Sequence, residues 1–255
     1  MQEKGLTTQS RDATALRFDR VSKVFPDGTH AVDDVSFEVA HGEFVTVVGP
    51  SGCGKSTLAR IAGGLDTPTE GECRVDRSSI GYVFQDATLL PWRTLQRNVE
   101  LIAELKGFDR AERHRRASAA IATVGLDGHQ AKYPRQLSGG MKMRASVARS
   151  LVLEPELFLF DEPFGALDEI TRERLDDELL ALFAERHFAA LFITHSIAEA
   201  VYMSTRVIVM SARPGRITGD FPVSFSYPRD PDLRFDPAFA SLCGEVSHCL
   251  RASHS

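Results

Sequence analysis

The chain has 255 residues, of which 43% are hydrophobic and 25% are charged, and its formal net charge is -5. Such a length can bury one large core, or a core and a small satellite domain, and the negative charge excludes the global basic field that attracts nucleic acid. Four cysteines without zinc-site spacing, and no apolar run near the ~20 residues of a membrane span, indicate a soluble protein with reduced thiols. Residues 1–12 lack the apolar segment of a secretory signal.

The first third of the sequence predicts strands around one helix. Alternating apolar residues on either side of the turn at 26–29 indicate an N-terminal antiparallel β pair. The run 43–49 is almost continuously apolar, which is typical of a central strand covered on both faces. The predicted elements are strands over 15–25, 31–43 and 43–49, a helix over 54–65 that ends at two glycines, and a strand over 79–84.

Helical spacing replaces strand patterns between residues 86 and 153, so we expect a helical insertion within an α/β domain. Strand patterns then return in alternation with a helix, which implies a mainly parallel sheet. After about Gly215 the sequence is punctuated by proline and only weakly patterned. The predicted elements are helices over 98–106, 110–126 and 140–153, a strand over 157–161, a helix over 169–187, and strands over 189–195 and 206–212.

A phosphate-binding loop is predicted at residues 49–57, where GPSGCGKST fits G-x-x-x-x-G-K-[ST] between a predicted strand and a predicted helix. Glycines let backbone N–H groups point at phosphate oxygens, and the helix N-terminus adds its dipole. Lys55 supplies charge for the outer phosphates, and Ser56 a hydroxyl for Mg²⁺. A plain glycine turn is the alternative, which the strand–turn–helix context disfavours. The predicted nucleotide-binding residues are Gly49, Pro50, Ser51, Gly52, Cys53, Gly54, Lys55, Ser56 and Thr57.

Two acids follow the apolar run of LFLFDEP, residues 157–163. A strand that ends in an acid brings Asp161 to the carboxyl edge of the sheet, where α/β proteins bind ligands. Asp161 can hold Mg²⁺ there, usually through water. Glu162 is the candidate general base for the attacking water. The alternative is an acid that merely ends a strand.

Five further segments resemble motifs of the ABC-transporter ATPases. LSGGM at 137–141 resembles the signature motif, FQD at 84–86 the Q-loop, GALD at 165–168 the D-loop, and ITHS at 193–196 the switch histidine. Phe25 matches the aromatic residue that stacks on adenine. The resemblance implies a P-loop NTPase (RecA-like) core with an N-terminal antiparallel β subdomain and an inserted helical subdomain. The expected boundaries are 14–220 for the ATPase domain (14–85 and 154–220 core, 86–153 helical subdomain) and 221–255 for a C-terminal tail.

The resemblance also implies a head-to-tail dimer, in which the signature of one subunit faces the P-loop of the other. Ser138, Gly139 and Gly140 would then touch the γ-phosphate of ATP across the interface. Glycines permit close backbone approach, and the helix N-terminus contributes its dipole. Ser138 could equally be an ordinary N-cap, and both statements can hold together.

Three more roles follow from the resemblance alone. Gln85 would contact Mg²⁺ or the attacking water, His195 would contact the γ-phosphate, and Asp168 would shape the dimer interface. Each has a structural alternative: Gln85 as a polar strand end, Asp168 as a helix N-cap, and His195 as a structural histidine. The implied catalytic residues are Glu162, His195 and Gln85, the metal-binding residues are Ser56, Gln85 and Asp161, and the cofactors are ATP and Mg²⁺.

Within this family, ATLLPWRT at 87–94 and VIVMSARPGRI at 207–217 resemble the nitrate, alkanesulfonate and taurine importer branch. Met141 and Met143 stand where glutamines are usual, although neither change removes a phosphate contact. The implied partners are a second ATPase subunit, permease subunits and a periplasmic or lipid-anchored solute-binding protein, without nucleic acid, at the cytoplasmic face of the inner membrane. The alternatives are a soluble ABC ATPase that acts on nucleic acid or ribosomes, and an exporter subunit.

The loop after Gln85 is apolar within polar surroundings, with Leu89, Leu90 and Trp92 as its apolar residues. Clusters of this kind commonly mark interfaces, so we expect the loop to receive a coupling helix of the membrane subunit. The alternative is that Trp92 packs inside the helical insertion.

Overall fold

The computed structural model describes residues 14–253, so the segment 1–12, which lacks a signal-like apolar core, lies outside the described residues. In the range described, no helix combines the length and apolar character needed to cross a membrane. The strands are β1 (Thr14–Val24), β2 (His30–Ala40), β3 (Phe44–Val48), β4 (Glu70–Val75), β5 (Ile80–Val83), β6 (Leu157–Asp161), β7 (Ala189–Thr194), β8 (Arg206–Met210) and β9 (Ile217–Pro222). The helices are α1 (Lys55–Ala62), α2 (Leu95–Val99), α3 (Leu101–Leu105), α4 (Arg110–Thr123), α5 (Gly139–Leu151), α6 (Glu169–Arg186), α7 (Ile197–Met203) and α8 (Pro237–Ala252).

A three-stranded antiparallel sheet, ordered β2-β1-β4, consists of two strands before the predicted phosphate-binding loop and one strand after it. Leu16, Phe18 and Val21 of β1 are buried, and a bulge between Phe18 and Val21 shifts the alternation by one residue. Phe18 pairs with Phe37 of β2, and their ring centroids lie 4.8 Å apart. The predicted N-terminal antiparallel pair is therefore confirmed. The sequence analysis missed β4, whose residues are all exposed or half-buried and so lack an apolar alternation.

The second sheet has six strands in the order β5-β6-β7-β3-β8-β9. Every neighbouring pair is parallel except β8 and β9, which run antiparallel at one edge. All five residues of β3 are buried, because this strand lies inside the sheet with packed layers on both faces. The predicted mainly parallel sheet is confirmed.

Two apolar clusters cover the two faces of this sheet. One cluster joins α1 and the antiparallel sheet to the side chains of β3, β6 and β7 that point toward them. The other joins the opposite face to the helices between 95 and 186, to α7 and to α8. The helical stretch predicted over 98–106 is two short helices, α2 and α3, which meet at Glu100. The six-stranded sheet thus lies between two layers. One layer is α1 with the antiparallel sheet, and the other is formed by the remaining helices.

Residues after 215 are more ordered than their weak pattern indicated. The predicted boundary at 220 falls inside β9, and the predicted tail contains the 16-residue helix α8. Asp236 caps α8 by accepting from the N–H of Ala238 at 2.7 Å. The buried guanidinium of Arg229 donates to the carbonyls of Val201 at 2.7 Å and of Ser204, which satisfies the end of α7. This segment is therefore joined to the core by hydrogen bonds.

Candidate nucleotide-binding and hydrolysis site

Four neighbouring parallel strands bring the predicted site residues to one sheet edge. The carboxyl ends of β5, β6, β7 and β3 point the same way, because each adjacent pair is parallel. Gln85 follows β5, Asp161 ends β6, His195 follows β7, and Gly49 follows β3. Residues that are far apart in the sequence thus meet at the edge where α/β proteins bind ligands.

The loop at 49–57 has the backbone that its glycines permit. Gly54 has a φ of 101°, and a Cβ atom there would lie 2.7 Å from the carbonyl oxygen of Ala31, so no larger residue fits. The Lys55 side chain is buried, and its Nζ donates to the carbonyl oxygens of Gly49 at 2.9 Å and of Pro50 at 3.0 Å. The loop therefore curls around the ammonium group at the start of α1, which suits a cradle for phosphate.

The remaining loop residues form its rim and floor. Ser51 and Gly52 are exposed, and Thr57 is half-buried on α1. Cys53 lies beneath the loop, and burial raises the pKa of its thiol. Arg213 donates from Nε to the carbonyl of Gly52 at 3.1 Å, so the segment before β9 supports the loop from outside.

A hydroxyl and a carboxylate stand side by side next to the loop. Ser56 donates from Oγ to Oδ1 of Asp161 at 2.7 Å, and the Tyr82 hydroxyl lies 3.5 Å from Oδ2. Burial raises the pKa of Asp161. Between residues 14 and 253 no three His, Cys, Asp or Glu side chains form a metal cluster. The pair fits Mg²⁺, which proteins hold through one or two oxygen ligands that phosphate and water complete.

The side chain of Glu162 lies between a cation and an imidazole. Its Oε1 is 3.8 Å from Lys55 Nζ, and its Oε2 is 3.1 Å from His195 Nδ1. A carboxylate can only accept, so Nδ1 carries the proton in this hydrogen bond. The Glu162 backbone has a φ of 46°, which is uncommon outside glycine, and its N–H donates to the carbonyl of Ile193 at 3.0 Å. This conformation directs the carboxylate toward the loop, where it can accept a proton.

Gln85 is exposed at the start of the loop that leaves β5. The loop is held by Arg149 of α5, whose guanidinium donates to the carbonyl oxygens of Ala87 and Thr88 at 3.0 Å each. Arg149 is 7% exposed, and burial lowers its pKa. The structure thus places Gln85 at the same sheet edge as Asp161, and its contact with Mg²⁺ or water stays a prediction. It also adds Arg149, which the sequence analysis did not identify.

The signature segment is displayed on the surface at the start of α5. Ser138 and Gly139 are exposed, and the Ser138 hydroxyl accepts from the N–H of Met141 at 3.3 Å. The predicted N-cap role of Ser138 is therefore confirmed. A Cβ atom on Gly139 would lie 3.1 Å from Leu167 Cδ2. The signature thus lies against the segment before α6, and its contact with a phosphate stays a prediction.

Asp168 caps α6 beside the signature. Its carboxylate accepts from the N–H of Thr171 at 3.0 Å, and this bond holds its pKa below the usual range. A Cβ atom on Gly140 would lie 3.0 Å from Thr171 Cγ2. The N-cap alternative for Asp168 is confirmed, and a role at a dimer interface stays a prediction.

Phe25 lies in the connection between β1 and β2. Its N–H donates to the carbonyl of Thr29 at 2.9 Å, and its half-buried ring lies 5.4 Å from Lys23 Nζ. The Lys23 ammonium group thus lies over the Phe25 ring. Stacking of adenine on this ring stays a prediction.

Tyr82 and Arg149 contact the site, yet sequence reasoning did not single them out. Tyr82 lies in a short strand, and nothing local distinguishes its hydroxyl from that of a packed tyrosine. Arg149 carried no clear signal either, because residues 145–151 of α5 are all buried and spacing alone does not distinguish it from an exposed arginine.

Comparisons with known proteins agree with this geometry. The sequence model of the ABC transporter family matches residues 32–165. An uncharacterised ABC transporter ATP-binding protein of Methanocaldococcus jannaschii is 45% identical over 240 residues, which cover 89% of this chain and 90% of that protein. An aliphatic sulfonates import ATP-binding protein of Bacillus licheniformis is 42% identical, with 86% of each covered.

Among solved structures, a dimeric ATP-binding cassette in a post-hydrolysis state with ADP and phosphate superposes with a TM-score of 0.73. It is 32% identical to this chain, and the match covers 83% of this chain and 100% of the solved chain. The architecture of two sheets and covering helices is therefore that of the P-loop NTPase cassette. The chain belongs to the ABC transporter family as an ATP-binding subunit, and it is an ATPase whose hydrolysis of ATP is coupled to transport.

Proposed function

We propose that the chain is the ATP-hydrolysing subunit of a bacterial importer for a small anionic or organic solute of the nitrate, sulfonate or taurine kind. The support is the identity of 42% to a protein named for the import of aliphatic sulfonates, together with the segments 87–94 and 207–217. Such a subunit would lie peripherally on the cytoplasmic face of the membrane, bound to permease subunits that work with a solute-binding protein.

The observation that carries the hydrolytic part is the position of Glu162 between Lys55 and His195. In this proposal, Lys55 binds the outer phosphates, Glu162 takes the proton of the attacking water, and His195 contacts the γ-phosphate. When bound, Mg²⁺ supplies positive charge that stabilises the phosphates. Ser56, Asp161 and Gln85 are the residues proposed to hold it, the first two being already hydrogen-bonded at 2.7 Å.

A complete site is proposed to need a second copy of the chain. Ser138 and Gly139 are exposed at the N-terminus of a 13-residue helix, a position that favours an anion. Phosphate held by one subunit would meet this segment of the other in a head-to-tail dimer. The dimeric state of the solved post-hydrolysis cassette supports this arrangement.

Permease docking is proposed for the loop at 86–94. Trp92 is 71% exposed, so the alternative in which it packs inside the helices is wrong. The loop is nevertheless fixed, because the buried Asn98 side chain accepts from the N–H of Leu90 at 2.7 Å and donates to the carbonyl of Arg93 at 3.0 Å. A rigid loop that follows Gln85 and presents an exposed indole suits a partner helix.

Cysteine cross-linking in the assembled transporter tests the importer assignment. We expect Trp92→Cys to cross-link to a permease subunit, and Phe235→Cys, which is more exposed at 84% but distant in the chain, to give none. The unsubstituted chain controls for the native cysteines. Absence of a cross-link from every position between 86 and 94, or equal cross-linking from Phe235→Cys, would contradict the docking role.

A further inference from the structure

We infer that Glu199 is a positioning residue, whose buried carboxyl acts through the hydroxyl of Thr194 to hold His195 against Glu162. The inference rests on the proposed role of His195 in hydrolysis. Glu199 lies four residues after the histidine, on α7, and the proposed hydrolytic roles do not involve it.

Hydrogen bonds to Glu199, one at its carboxyl group and one at its backbone N–H, hold the residues on both sides of His195. The Thr194 hydroxyl donates to Oε2 of Glu199 and accepts from the N–H of Ser196 at 3.0 Å. The Ser196 hydroxyl in turn accepts from the N–H of Glu199 at 3.3 Å. Residues 194 and 196 are thus both fixed to Glu199, and His195 is the residue between them.

Burial makes this arrangement rigid and its components costly to remove. Thr194 is 3% exposed and Glu199 is 7% exposed, whereas the His195 side chain is 51% exposed and reaches Glu162 from the surface. An exposed ring has little packing of its own to select a rotamer. The orientation of the ring therefore depends on the backbone that carries it.

An acid is favoured at position 199, in the first turn of α7, but the Glu199 carboxyl does not make the capping-box bond, because the N–H of Ser196 donates to Thr194 instead. Ser196 already supplies the N-cap of α7, and the remaining buried residues of that helix are Ala200, Val201, Tyr202 and Met203. Oε1 of Glu199 is buried without a hydrogen-bond partner in the described chain, which costs free energy that an apolar residue would avoid. The other oxygen of that carboxyl, Oε2, is the one that accepts from the Thr194 hydroxyl.

A second buried acid supports the acceptor role of Glu199. Asp176 of α6 is 3% exposed, and burial together with the charge of Glu199 raises its pKa well above the usual range. Burial also raises the pKa of Glu199, but the hydrogen bond from Thr194 opposes that shift. The hydrogen bond from the Thr194 hydroxyl is thus the contact that favours the charged form of Glu199, which is the form that accepts most strongly from a hydroxyl.

The first test removes one hydroxyl from the full chain. Thr194→Val keeps the shape of the side chain and should lower kcat on the order of tenfold to a hundredfold while the KM for ATP stays within about twofold, because misplacement affects the reaction more than binding. Thr194→Ser should restore kcat. The matched control is Thr46→Val, which removes another fully buried strand hydroxyl, one bonded to Ser204. A wild-type kcat in Thr194→Val, or an equal loss in Thr46→Val, overturns the inference.

The second test asks whether the effect acts through the histidine. In a His195→Ala chain, Thr194→Val should cause no further loss of kcat, since positioning an absent ring has no consequence. A further tenfold loss would assign Thr194 a different role and overturn the inference. Wild-type kcat in His195→Ala alone would instead remove the proposed role of His195, an outcome that separates the two claims.

A spectroscopic readout keeps the inference testable if a variant loses activity for other reasons. With nitrogen-15 label in the histidines of the nucleotide-free chain, Thr194→Val and Glu199→Met should shift the Nδ1 resonance of His195 toward that of an imidazole without a hydrogen bond. Glu199→Gln, which keeps an acceptor oxygen, should shift it less. An unchanged His195 resonance in both Thr194→Val and Glu199→Met would contradict the positioning role.

Discussion

Two regions of this chain are proposed to face the phosphates of ATP, and they are built in different ways. At the P-loop edge, Lys55 is buried and Glu162 is hydrogen-bonded to His195, all within one chain. At the signature, Ser138 and Gly139 are exposed. The first region has its polar groups satisfied internally, whereas the second presents backbone N–H groups of a helix N-terminus to solvent.

This difference indicates which groups each subunit contributes to the proposed composite site. The chemistry of proton transfer and metal binding needs side chains held to within fractions of an ångström, which a network of hydrogen bonds within one chain provides. A segment that must approach a ligand on another molecule needs small residues and access, which two glycines provide. Substitutions in each region test this contrast. We expect the largest effect from loss of the base, a smaller one from loss of the phosphate contacts, and the smallest from loss of the link between the regions.

Loss of the base within the internal region should have the largest effect. Glu162→Gln should lower kcat about a hundredfold to ten-thousandfold while ATP binding is retained, because an amide cannot accept the proton of water. Glu154→Gln is the control, since its side chain is 68% exposed and it precedes the opposite end of β6. ATPase assays beside nucleotide titrations measure both quantities. Wild-type hydrolysis by Glu162→Gln would remove this residue from the catalytic role.

Loss of phosphate charge should come next. Lys55→Ala should weaken ATP binding about tenfold to a hundredfold, because a hydrogen bond to a charged group contributes about 1.5–3 kcal/mol. Asp161→Asn should instead leave Mg²⁺-free affinity unchanged and reduce the gain that Mg²⁺ gives. Lys106→Ala, at an exposed position, controls for the loss of one positive charge. Unchanged affinity in Lys55→Ala, or an undiminished Mg²⁺ effect in Asp161→Asn, would contradict these assignments.

The link between the two regions should give a smaller effect, and on stability. Arg149 belongs to the signature helix and donates to the carbonyls of Ala87 and Thr88. Arg149→Met should lower the free energy of unfolding by about 1–3 kcal/mol, because it leaves buried acceptors unpaired. Arg115→Met, at a side chain 66% exposed, should change it by less than about 0.5 kcal/mol. Urea unfolding curves compare the two, and equal effects would mean that Arg149 does not hold the loop.

Site residues that directly follow a strongly apolar strand could be predicted from the sequence. The apolar runs that end at Gly49 and Asp161 specify buried parallel strands, and the carboxyl ends of such strands meet at one edge. The same reasoning could not find the Tyr82 contact with Asp161, because 79 residues separate them and only tertiary packing brings them together.

The missed helices have local explanations. All five C-terminal residues of α7 are buried, among them Glu199, so the helix lacks an amphipathic period and its acid reads as a surface residue. Helix α8 buries only Phe239 and Val246, and its many small and polar residues give a weak pattern. Both helices are stabilised by packing and capping against the core, which residue spacing alone does not report.

The central claim is that ATP held by the P-loop of one chain meets the signature of another. A γ-phosphate-linked photo-reactive ATP analogue tests it in a mixture of the unsubstituted chain and a size-tagged Lys55→Ala chain, at a concentration that fills only intact P-loops. In mixed dimers we expect label in residues 136–141 of the tagged chain, whose own P-loop is impaired. Label confined to the signature of the unsubstituted chain, which itself holds the analogue, would contradict the head-to-tail composite site.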